Sequence, residues 1–62
     1  MKNKRVRKAM TDAGISQSDL SDILLVSQAE VSIMLKYELS VHEQNEIVAK
    51  IREYAALRKE SA

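Results

Sequence analysis

The chain has no cysteine, no proline, no tryptophan and no phenylalanine. Without cysteine, neither a disulfide staple nor a thiolate metal site is open to it. Its longest uninterrupted apolar run, Ile23 to Val26, is far too short to span a bilayer. The lysines and arginines near the N-terminus are not followed by the apolar stretch that a signal peptide needs. A single histidine, His42, offers no cluster for metal or acid–base work, and it reads as a solvated surface residue. No phosphate-loop, dinucleotide, zinc-protease or calcium-loop spacing occurs, and the acids are scattered without a pair. An enzyme is therefore not expected, nor is a cofactor or a small-molecule ligand. Net charge is only +1, so the overall balance says nothing about a polyanionic partner. With 62 residues there is no room for a solenoid repeat. One small domain over residues 1–62 is expected, burying about 60% of its unfolded surface.

What is present is helical patterning. Val6, Ala9, Met10 and Ala13 recur at i, i+3, i+4 and i+7, an amphipathic stripe that predicts a helix from about Asn3 to Ala13. Gly14, the only glycine, follows it where a helix C-terminus takes a left-handed residue. Three serines then mark helix starts. Ser16, Ser27 and Ser40 each precede an acid by three residues, Asp19, Glu30 and Glu43, the spacing of a capping box. Ile15 can staple to Leu20 and Val26 to Val31, whereas Gln44 occupies the matching place behind Leu39. Helices are thus expected to start at Gln17, Gln28 and Val41, the last running to about Lys59 with Glu60, Ser61 and Ala62 frayed. In that last helix Ile47, Val48, Ile51, Tyr54 and Ala55 form the apolar stripe, and Glu46 and Lys50 are spaced for an i,i+4 ion pair. The fold class is all-α, with four helices.

The segment Gln17 to Lys36 organises the rest. Its apolar residues Leu20, Leu24, Val26, Val31 and Met34 fit no single helix, because the period resets in the middle. They fit two short helices meeting at a fixed angle, with small Ser21 at the close crossing. This is helix-turn-helix spacing, in which the second helix enters the DNA major groove. Leu25 falls where the backbone tends to turn left-handed, which would cost it about 1–2 kcal/mol. Either the turn takes another geometry or burial of Leu25 offsets the strain.

Five cations, Lys2, Lys4, Arg5, Arg7 and Lys8, crowd the first eight residues with no acid among them. At a helix start they oppose the dipole, so folding does not explain them. Lys4, Arg5 and Lys8 are expected on DNA phosphates; a solvated helix face is the bland reading.

Residues 3 to 55 resemble the phage repressor and Cro-like helix-turn-helix family, often labelled XRE, and its compact members from phages and mobile elements. The segment GISQSDLSDILLVSQAEVSIMLKYEL carries the resemblance. It implies a cytoplasmic, sequence-specific regulator that binds operator DNA as a dimer. The departures are Leu25 in place of the usual glycine and Ile33 where a basic or polar residue is common. On the second motif helix Gln28 is the best base reader, because its amide can bond adenine bidentately. The family's matching position is a base contact. Ala29 and Ile33 could meet a thymine methyl, and Ser32 is a further polar contact. Gln17, Ser27 and Lys36 are expected on phosphates. The small core and the long last helix suggest a homodimer through Ile51, Tyr54 and Leu57. An exposed Ile33 and the low net charge fit a second class, a protein-interaction module or antirepressor on the same scaffold.

Overall fold

The computed structural model describes the backbone of residues 2–61 and the side chains of residues 2–58. Four helices follow one another: α1 (Lys4–Ala13), α2 (Gln17–Leu24), α3 (Gln28–Lys36) and α4 (Val41–Ser61), with no strand among the described residues. α1 and α4 lie side by side with their N-termini at the same end, since Asn3 bonds Leu39 and Arg5 bonds Asn45. α2 packs against both α3 and α4. Val6, Ile15, Leu20, Val31, Leu35, Ile47 and Ile51 form the core. No described helix is long and apolar enough to cross a membrane.

The serines set the helix starts as expected. Ser16 makes the complete reciprocal box: its Oγ accepts from Asp19 N–H at 3.2 Å, and its own N–H donates to Asp19 Oδ2 at 3.0 Å. Ser27 and Ser40 accept from Glu30 and Glu43 N–H, each at 3.1 Å. The return bond is not made there among the described residues; Glu43 meets the Ser40 hydroxyl instead, at 3.1 Å. At the α4 start the staple is replaced by a polar tie. Gln44 is buried and its Nε2 donates to Leu39 O at 2.9 Å, while Oε1 is buried without a partner.

Gly14 closes α1 in the left-handed conformation, φ 67°, with its N–H on the last carbonyls of the helix. The end of α2 repeats that turn with a side chain in it. Leu25 has φ 58° and ψ 44°, and Val26 N–H reaches back to Ser21 O at 3.0 Å. Both sequence readings of Leu25 therefore fail: the turn is left-handed, and Leu25 is 90% exposed, so burial offsets nothing.

Other expectations shift in detail. α1 begins at Lys4, with Asn3 as its left-handed N-cap, and α4 continues two residues past Lys59. The fraying expected of Ala62 lies outside the described residues. On α3 Leu35 is buried along with Val31, whereas Met34 is only half-buried. Ser21 is buried, in keeping with a close crossing of α2, and its hydroxyl donates to Ser18 O at 2.7 Å. Glu46 pairs with His42 at 3.1 Å rather than with Lys50, on the exposed face of α4.

Candidate nucleic-acid interface

Val31 and Leu35 seat α3 on the rest of the domain. At about 100° per residue, Ala29, Ser32, Ile33 and Lys36 then project from the opposite side. All four are exposed, Ile33 at 55%. Gln28 sits at the flank of this stripe, in the first turn of α3, and is also exposed. Its Nε2 donates to Ser18 Oγ at 3.3 Å. That bond brings the first turns of α2 and α3 together, with Gln17 and Ser27 exposed in the same neighbourhood. The backbone N–H groups of a first turn lack intrahelical partners, so this corner offers donors that an anion can accept. Asp19, the acid of the Ser16 capping box, and Glu30 also stand in these turns. Ser18 is missed by sequence reasoning. Its position in a polar first turn carries no signal until the fold brings Gln28 to it.

The C-terminal end of α3 is held from the other side by the start of the chain. Lys2 Nζ donates to Lys36 O at 2.8 Å, and Arg7 Nη2 to Leu35 O at 3.2 Å. Arg7 Nε also holds Lys2 O at 2.9 Å. These carbonyls are among the four left free at a helix end, and positive charge there complements the helix dipole. Two of the five clustered cations thus have a folding role, contrary to the sequence reading.

Asn3 completes this brace. It is fully buried and left-handed, a conformation in which Asn is enriched among non-glycine residues. Its N–H donates to Glu38 Oε2 at 2.6 Å, its Nδ2 to Tyr37 O at 2.8 Å, and its Oδ1 accepts from Leu39 N–H at 2.8 Å. All three partners lie in the segment between α3 and α4. The pose of α3 therefore depends on a residue that the sequence marks only as an Asn before an amphipathic stripe.

The three cations expected on phosphates separate. Arg5 stands roughly 160° around α1 from Arg7, on the flank away from α3's C-terminus. Its Nη1 bonds Asn45 Oδ1 at 3.1 Å. Lys8 pairs with Asp12 at 2.9 Å, both largely exposed. Together with Arg52 they border a groove of about 540 Å³ between α1 and α4, floored by Ala9, Ala13 and Ala49. Arg5 and Lys8 thus border the α1–α4 groove rather than the C-terminal end of α3 that Lys2 and Arg7 hold. Lys4 is exposed and stands closer to Arg7's flank. Set against protein-family models, curated proteins and solved structures, the chain matches none.

The expected dimer residues also divide. Ile51 is 1% exposed and belongs to the core, so it cannot serve a second copy. Tyr54 is half-buried with Arg58 over its ring, 5.6 Å from the centroid. Leu57 is 59% exposed and borders a shallow hollow with Ile23, Lys50, Glu53 and Tyr54. Among the described residues, no group of three or more His or acidic side chains could hold a metal ion.

Proposed function

We propose that this chain is a DNA-binding regulator of the phage repressor and Cro-like helix-turn-helix type, acting in the cytoplasm as a homodimer. In this reading α3 lies in the major groove. Gln28 reads a base edge, Ala29 and Ile33 touch thymine methyls, and Ser32 adds a polar contact. Gln17, Ser27, Lys36 and Lys4 hold the flanking phosphates. A second copy docks through Leu57 and the exposed edge of Tyr54, so that the operator is roughly palindromic with half-site centres about 34 Å apart. The observation that carries the reading is the outer stripe of α3: uncovered, half polar and half apolar, and borne on a helix braced at both ends by Ser18 and by Lys2 and Arg7.

A protein-interaction role is the second reading. It rests on the exposed apolar side chains Leu25, Ile33, Tyr37 and Val41 on and beside the motif, and on Arg5 and Lys8, which border the α1–α4 groove. A binding titration against random double-stranded DNA decides between them. Binding that weakens steeply between about 50 and 200 mM salt supports the regulator. No binding at about 50 mM salt supports the protein-interaction module.

A further inference from the structure

The groove between α1 and α4 has no residue of α3 in its lining. On α1 it runs from Arg5 past Ala9 to Ala13, and on α4 from Asn45 past Ala49 to Ala55. Residues three and four apart share one side of a helix, so each helix offers a continuous face. The two helices lie side by side in the same direction, and the faces make the walls of one trough. Its length is that of α1, about 15 Å. Alanines along the floor leave open the space that longer side chains would fill. A third helix of about ten residues matches that length, and small side chains let its axis come within about 8–10 Å of its neighbours.

The charge around the groove is mostly of one sign. Arg5, Lys8 and Arg52 border it against a single acid, Asp12, which Lys8 already pairs. Arg5 is held by a neutral partner, Asn45. Arg52 makes no hydrogen bond or ion pair among the described residues. It stands seven positions along α4 from Asn45, so the two uncompensated guanidinium groups are roughly 10 Å apart along the trough, one on each wall. The apolar floor offers a nucleic-acid backbone nothing to bond. A second copy docked symmetrically on this face would set the cations against their own counterparts.

We propose that the α1–α4 groove is a docking site for an acidic amphipathic helix of a partner protein, which lays an apolar stripe on Ala9, Val48 and Ala49 and sets carboxylates on Arg5 and Arg52. An apolar face in a groove supplies the burial, and paired guanidinium–carboxylate bonds at the rim fix register and partner. The site is separate from the outer stripe of α3, so it stands whether or not that stripe reads DNA.

The test uses the full chain and two fluorescein-labelled synthetic peptides of about fourteen residues. Both carry leucines at i, i+3, i+4 and i+7; one has glutamates along both edges of that stripe and the other lysines. Fluorescence anisotropy should show the glutamate peptide binding at least about tenfold more tightly than the lysine peptide, and weakening several-fold between about 50 and 200 mM salt. Ala49→Glu, which puts an acid on the floor, should lower affinity for the glutamate peptide about tenfold. Arg5→Gln with Arg52→Gln should remove most of its salt dependence. Leu57→Glu, outside the groove, should change neither. These positions are exposed except for the α1–α4 trough itself, and circular dichroism confirms that each variant is folded. Equal binding of the two peptides, or none of either, would overturn the proposal. So would glutamate-peptide binding that Ala49→Glu leaves intact. Displacement of the glutamate peptide by random double-stranded DNA, lost in the Arg5→Gln, Arg52→Gln variant, would make the groove a phosphate site instead. A dimer in sedimentation that Ala49→Glu dissociates would make the occupant a second copy, and would equally overturn it.

Discussion

Replacing Leu25 by glycine should stabilise the domain, although it removes a large apolar side chain. A left-handed residue with a Cβ costs about 1–2 kcal/mol. Leu25 sits there at φ 58° and gains nothing from burial, being 90% exposed. Glycine relieves that strain but adds about 0.4–1 kcal/mol of unfolded-state entropy to be lost on folding. The net gain should be about 0.5–1 kcal/mol, which in a domain of this size raises the melting temperature by roughly 2–8 °C. Gly14 serves as an internal reference, because it closes α1 in nearly the same geometry, φ 67° and ψ 36°. Two further substitutions isolate the cause. Leu25→Ala keeps the Cβ and should gain little, whereas Leu25→Asn should lie between alanine and glycine. Thermal melting by circular dichroism and urea titration would measure the series. A loss of stability in Leu25→Gly would refute the argument and mean that Leu25 makes contacts beyond those of the isolated chain.

Asn3→Ala removes two side-chain hydrogen bonds and leaves Tyr37 O and Leu39 N–H without their partner; urea denaturation should show a loss of about 2–4 kcal/mol. Asn3→Gly, which relieves only the backbone, should recover little of it. Changing Lys4, Arg5 and Lys8 together to Gln should lower the log–log salt slope of DNA binding by about 0.9, one phosphate contact, with Lys4→Gln alone reproducing the change. A fall of about three contacts would return Arg5 and Lys8 to the DNA. Leu57→Glu should convert a dimer to a monomer in sedimentation and make the melting temperature independent of protein concentration, since Leu57 is outside the core and only the stabilisation by dimerisation is lost; an unaltered protein that is monomeric at high concentration would remove that interface.

Helix starts were legible because each is written locally. A serine, an acid three residues on and the apolar period all act within one turn, so Ser16, Ser27 and Ser40 mark α2, α3 and α4 to the residue. The end of α1 was equally legible from Gly14. Leu25 shows the limit: sequence flags a conflict between side chain and turn but not which of them yields. Long-range ties were illegible for a different reason. Asn3 meets residues 34 to 36 positions away, and Arg7 meets Leu35, 28 positions away. No periodicity encodes such pairings, so the N-terminal cations looked unexplained. The exposed stripe of α3 follows from where Val31 falls, while the hold of Ser18 on Gln28 depends on how α2 and α3 cross. Ile51 shows the converse error. A stripe on a long helix was divided between core and partner by its position along the chain, but burial follows the neighbours that α1 and α2 provide.

Whether α3 reads DNA sequence is decided by Gln28→Ala. The position is exposed and alanine is a good helix former, so the fold should be retained. Equilibrium binding would be measured for the selected operator, for each of its single-base variants and for random DNA. A base-reading Gln28 gives a loss of about 1–3 kcal/mol on the operator, relaxed preference at one A·T pair per half-site, and nearly unchanged affinity for random DNA. An equal loss on every sequence, or no loss on any, would contradict it.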